Sequence, residues 1–435
     1  MRLPAAALAA FALLAGCVTM PASEIDAQSV PVALEDALAA LDAGEMAANL
    51  ALLGEWRSSG AEVAAHDGLL YVMRGGTVQV LDVSDPANLV EVALIEPAHR
   101  VLDVKLSHDG KFLFVGDDQQ ATNALTAVAA GYRGGFHVYD VSDPAAAEHV
   151  AYLPIGPRRG PHMVFYHEYP DGREIVFGAN ADVSIAEFDR DAGSLTELAR
   201  YMPDLVFGFN RGPYVVDALY QGWAHDMFVQ TEPDGSVYMY VANWDAGLRI
   251  VDVTDPTKPV ELGGWNDFPD GHSGNLHTVS AQWMDGKRIV VGAVEVGFSV
   301  VGGIGYAQGA EPGVLYVWDA TDPAAPALIG QWENPMGVKA GGRPGPVFDE
   351  PVMSTHNLQL ENGTLYLAHY GLGVWVLDVS TPETWAAPEV LAYYMEEDMS
   401  TWDVIVHEGV MFTSGAEGVL ALGFPLTLPG LSSRA

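Results

Sequence analysis

The chain has 435 residues, 49% of them hydrophobic, and its 57 Asp and Glu stand against only 20 Lys and Arg, a net charge of −37 at pH 7. Such a field repels nucleic acid and anionic membrane surfaces, which excludes partners of that kind. The acidic residues are spread along the chain rather than massed in a tail, and the apolar content is that of a packed domain, so a disordered acidic segment is excluded as well.

The N-terminus reads MRLPAAALAAFALLAGCVTM, with Arg2 ahead of an apolar stretch from Ala5 to Leu14 that is too short to cross a bilayer. This is the pattern of an export signal. Leu14-Ala15-Gly16-Cys17 resembles the lipobox of bacterial lipoproteins. The resemblance implies that residues 1–16 are removed and that Cys17 is lipidated. It places the protein outside the cytoplasm, anchored to the cell envelope at the outer membrane or cell surface. Cys17 is the only cysteine, so no intramolecular disulfide can form. Residues 17–48 read as a tether in which LEDALAALDAG, 34–44, has the spacing of a short amphipathic helix closed by Gly44.

From residue 49 onward one pattern recurs, an apolar alternating run, an aspartate-containing turn and a second apolar run. Its copies are VQVLDVSDPANLVEVALIEP, FHVYDVSDPAAAEHVAYLPI, VSIAEFDRDAGSLTELARYM, LRIVDVTDPTKPVELGGWND, LYVWDATDPAAPALIGQWEN and VWVLDVSTPETWAAPEVLAYY. In DVSDP the Asp and Ser side chains can bond backbone amides while proline ends the strand ladder, which makes a compact turn between antiparallel strands. Before each copy lies another strand pair around a DG, NG or EG turn, as in LSHDGKFLFVG and LENGTLYLAHY. Four strands per unit at this spacing predict the blades of a β-propeller. A seventh unit is split: WDVIVHEGVMFTSGAEGVLALGF supplies three strands, and NLALLGEW, 49–56, supplies the missing outer one. The expectation is an all-β, seven-bladed propeller of four-stranded antiparallel blades over 49–425, its ring closed by an N-terminal strand, with 426–435 as a tail. The strands LRIVDVTDP and VWVLDVSTP resemble those of the LVIVD-repeat proteins, β-propellers that are typically extracytoplasmic and often anchored. That resemblance identifies a scaffold and leaves the chemistry open.

In a blade the first strand lines the central channel, and His162, His225, His277 and His356 fall at its start in blades 3 to 6. His99 lies similarly near the start of blade 2, while Trp402 and Glu62 stand at or beside the position in blades 7 and 1. Four or five imidazoles would thus ring one mouth of the channel. The insertions Asp117–Gly135, Gly156–Pro161, Pro203–Gly222, Glu295–Gly313 and Pro335–Met353 fall on the same face, as do the ends of second strands at Asp117, Asp118, Asn180, Asn243, Asp245, Glu295 and His369. Arg158, Arg159, Arg211 and Arg343 sit in those loops, able to bind an anionic substrate or to pair with nearby acidic groups. His272, five residues before His277, is either an extra ligand or a loop-packing residue; His66, His108, His137, His149, His167 and His407 read as structural or solvent-exposed.

Converging neutral imidazoles suit a transition metal such as Fe, Zn or Cu, provided each second nitrogen is held by a carboxylate or carbonyl. The candidate ligands are His162, His225, His277 and His356, with His99 and His369 auxiliary. The alternative is a channel whose histidines bond water and neighbouring carbonyls, on a surface scaffold that holds a protein or glycan and does no metal chemistry. Either way a monomer is expected, with an unidentified small molecule, protein or glycan at the loop face. No GxGxxG fingerprint in context, Walker loop, HExxH or GxSxG is present, and with Cys17 lipidated a cysteine nucleophile is excluded.

Overall fold

The computed structural model describes residues 47–96, 101–118, 134–155, 160–180, 182–202, 224–244, 246–268, 275–295, 314–336, 354–396 and 399–424, with the backbone of a hairpin at 297–301 and 304–308. The export signal, Cys17, the tether with its expected helix, His99, His272, the four loop arginines and the C-terminal tail lie outside the described residues.

The described residues form seven antiparallel sheets of at least four strands. Blade 1 runs Val63–His66, Leu69–Arg74, Thr77–Asp82 and Val90–Ile95; blade 2 runs Val101–Leu106, Phe112–Asp117, Gly135–Asp140 and Glu148–Pro154. Blade 3 is Met163–Glu168, Glu174–Asn180, Asp182–Asp189 and Ser194–Tyr201; blade 4 is Asp226–Thr231, Val237–Ala242, Leu248–Asp252 and Val260–Trp265. In blade 5, Leu276–Met284, Lys287–Val294, Val314–Asp319 and Ala327–Glu333, the hairpin Gly297–Val301 and Ile304–Gln308 is inserted between the second and third strands. Blade 6 is Thr355–Glu361, Thr364–His369, Gly373–Asp378 and Glu389–Tyr394, widened at its outer edge by Ala47–Ala48. Blade 7 takes Thr401–His407, Val410–Gly415 and Gly418–Gly423 from the C-terminal end and Ala51–Trp56 from the N-terminal end, with Ala51 opposite Gly423 and Trp56 opposite Val419. The expected closure by an N-terminal strand is what the pairing shows.

The first strands of consecutive blades contact one another all the way round, blade 7 touching blade 1, so the sheets form a closed wheel. Each blade is packed on both faces, which is why its middle strands are apolar almost without alternation, as in Leu70–Met73 or Val374–Leu377, all buried. Seven hydrophobic clusters fill the seven gaps between neighbouring blades. Trp318 and Trp375 are fully buried there and Trp332 nearly so, as core packing predicts.

The turns work as their residues require. The first aspartate of the motif accepts the amide two residues on: Asp82 from Ser84 at 3.0 Å, Asp140 from Ser142 at 2.9 Å, Asp252 from Thr254 at 2.9 Å, Asp319 from Thr321 at 3.0 Å and Asp378 from Ser380 at 2.8 Å. The second aspartate repeats the bond one step later, as Asp255 does with Thr257 at 3.1 Å. Blade 6 has Thr381 in place of that aspartate, and the threonine caps a short helix, Pro382–Ala386.

Candidate metal centre

The histidines stand where the inner strand begins, and the backbone there is bulged. In blade 5 Leu276 faces Val294 and Thr278 faces Ala293, so His277 is an extra residue; Leu102 in blade 2 and Trp402 in blade 7 occupy the same place, and blade 6 gains one residue across 356–357. In blades 3 and 4 the amides of His162 and His225 bond the carbonyls of Ala179 and Ala242, the residues already paired with Met163 and Asp226. A bulge sets two residues against one and breaks the alternation of side chains. Two consecutive residues of each inner strand can therefore face the channel, the first being the histidine in blades 3 to 6.

The four imidazoles form a continuous arc. Ring centroids are 4.7 Å apart for His162 and His225, 4.0 Å for His225 and His277, and 4.3 Å for His277 and His356. Trp244 closes on His225 at 4.9 Å, while Tyr370 and Trp402 flank His356 at 5.0 and 6.0 Å. Neighbouring blades fix the ring orientations. His225 Nδ1 contacts the carbonyl of His277 at 3.1 Å, and His356 Nδ1 the carbonyl of Trp402 at 2.7 Å. The backbone of His356 is the corresponding neighbour of His277, at looser geometry. With Nδ1 turned to a carbonyl as donor, Nε2 keeps its lone pair for a ligand. His162 differs: its Nδ1 meets Asp118 Oδ2 at 3.2 Å, and that carboxylate is held by Asn180.

Glu295, just past the second strand of blade 5, completes the group. Its Oε2 lies 3.7 Å from His277 Nε2 and its Oε1 accepts the Tyr370 hydroxyl at 2.6 Å. One donor atom each from His277, Glu295 and His356 lies within 4.8 Å of the other two. Burial, and then the neighbouring imidazoles, hold His225 and His277 well below the usual imidazole range, and burial sets His356 at about 4. All three are neutral at pH 7, the form that binds metal. Burial also raises the Glu295 carboxyl to about 7, against the Tyr370 hydrogen bond, and an approaching cation would draw off its proton.

The structure thus brings together the four histidines read from the sequence, and places two of them, His277 and His356, in the group of converging donors. His225 lies beside that group and His162 is a ring further on. His369 is fully buried at the end of its strand, next to Tyr370, and is not part of the group. Trp402 is at the mouth, 36% exposed, as its alignment predicts. Glu295 and Tyr370 are the partners that sequence reasoning left without a role. The available signal was their common position, just past the end of a second strand and level with the histidine that opens the same blade.

Residues 59–95, which hold all of blade 1, and 237–267, which hold the last three strands of blade 4, match the LVIVD repeat family. No curated protein matches the chain in sequence. Among solved structures it is similar to the WD40 β-propeller domain of Doa1, with a TM-score of 0.51 and 11% identity over 85% of this chain and 94% of that one. Saccharomyces cerevisiae Sqt1 gives 0.51 and 11% over 87% and 99%, and the β-propeller domain of Cps50 (Swd1) from Myceliophteria thermophila gives 0.54 and 10% over 86% and 98%. At such identities the likeness is one of fold alone. The chain is a seven-bladed β-propeller that carries LVIVD repeats.

Proposed function

We propose that the histidine mouth binds a transition-metal ion, iron, zinc or copper, through His277, Glu295 and His356, with His225 beside them, and that the propeller presents this centre outside the cytoplasm. The carrying observation is the convergence of two neutral imidazoles and one carboxylate within 4.8 Å. Two histidines and a carboxylate are the donor set of hydrolytic zinc and of non-haem iron sites, where the remaining positions stay open to water or substrate. Tyr370 on Glu295 and the Trp402 carbonyl on His356 supply the outer hydrogen bonds that such ligands need. The LAGC motif supports export and lipid anchoring through Cys17, and the histidine face is where the monomeric wheel would hold a small molecule, protein or glycan, the insertions that the sequence assigns to that face lying largely outside the described residues.

Elemental analysis of purified protein tests the centre. About one equivalent of one metal is expected, lost in a His277→Ala, His356→Ala double variant that still folds. Less than about a tenth of an equivalent after reconstitution removes the metal. Retained capture of a partner by that variant would then leave a binding scaffold as the function.

A further inference from the structure

One residue further along each inner strand lies a second ring, of opposite character. Its members are Glu62, Asp103, Met163, Asp226, Thr278, Asn357 and Asp403, the second channel-facing residues of the bulges. Glu62, Asp103 and Asp403 are buried, and among the described residues the cation that acts on them is Lys105, bound to Asp103 at 2.6 Å. Two carboxylates are tied to backbone. Asp103 accepts the amides of Val104 and Val164 at 2.7 Å, and Asp403 those of Val404 and Val63 at 2.9 Å. They are therefore fixed in place and cannot swing out to water. Asn357 lies between Glu62 and Asp403, its Nδ2 donating to Glu62 at 2.5 Å and to Asp403 at 3.3 Å. Those acceptors fix the orientation of the amide, and its Oδ1, buried on a residue 6% exposed, is left with no donor. An acceptor oxygen without a donor, amid four carboxylates facing one lysine, is short of positive charge.

We propose that this ring binds one hydrated alkaline-earth cation, Ca2+ or Mg2+, in the channel beneath the histidines, with Asn357 Oδ1, Glu62 and Asp403 nearest to it. The ion keeps part of its water because the ring's carboxylates do not crowd together: the donor group converging within 4.8 Å among the described residues is the histidine one. The three nearest groups come from blades 6, 1 and 7, so the ion would tie the closing blade to both its neighbours.

The test is calorimetric titration of the full chain, stripped with chelator, with CaCl2 and separately with MgCl2, alongside thermal melting. Expected is one site with Kd in the range of about 10⁻⁴ to 10⁻³ M. It should weaken at least about tenfold in Glu62→Gln and in Asn357→Ala, survive in His277→Ala, His356→Ala, and raise the melting temperature of the native chain and of that histidine variant more than that of the two ring variants. Binding that is equal in native chain and ring variants belongs to surface carboxylates and overturns the proposal, as does the absence of any site. Should Glu62→Gln fail to fold, Asn357→Ala, which removes no charge, carries the same comparison.

Discussion

At the scale of the residue, the channel holds groups whose protonation burial has altered, and their shifts have opposite consequences. Asp226, beside His225, is raised to about 7 by burial, against a hydrogen bond from Thr278. Its folded value exceeds its unfolded one, so the folded state holds the extra proton between pH 3.8 and about 7, and stability falls as pH rises through that window. In cation-free buffer Asp226→Asn should therefore melt above the native protein at pH 8, and the difference should vanish below pH 4. An equal gain at both pH values would show that folding leaves the carboxyl's affinity for its proton unchanged. Tyr370→Phe removes the hydroxyl from Glu295 and should lower metal affinity by about ten- to a hundredfold, measured by competition with a chelator. The histidines were legible because the repeat aligns them. Their carboxylate was less so: Glu295 follows the strand that pairs with the start of His277's own strand, but it comes near His356 only when blades 5 and 6 pack together, and no spacing along the chain encodes that.

At the scale of the element, the outer strands carry a glycine that the repeat pattern displays but does not explain. A Cβ on Gly263 would stand 2.5 Å from the carbonyl oxygen of Pro323 and 2.7 Å from that of Ala324, in the DP turn of the next blade. Gly54 meets Pro86 in the same way, and Gly330 meets Trp385. Each of these glycines lies at the bulge of its outer strand, so GEW, GGW and GQW mark where one blade's edge receives its neighbour's turn. Gly263→Ala should cost about 1–3 kcal/mol, seen as a lower denaturant midpoint with an unchanged slope. The four-strand blades and the aspartate turns could be read from the residues because both depend on local chemistry. The inner-strand bulges could not, since one extra residue leaves no mark in an apolar run.

At the scale of the molecule, a wheel with a net charge of −37 repels itself. Sodium chloride shortens the reach of that repulsion from about 10 Å at 0.1 M to about 3 Å at 1 M. The melting temperature should climb steadily over this range, and a flat profile would mean that charge spacing already relieves the strain. Ala51–Trp56, the outer strand of blade 7, finds its hydrogen-bonding partner in Gly418–Gly423. During synthesis this early strand must wait, its edge open to any passing strand, until nearly the whole chain has followed it. Completion of the circle is thus a late event that cannot proceed piecemeal, and a chain stopped a few dozen residues short would be left as an open arc prone to joining its own kind.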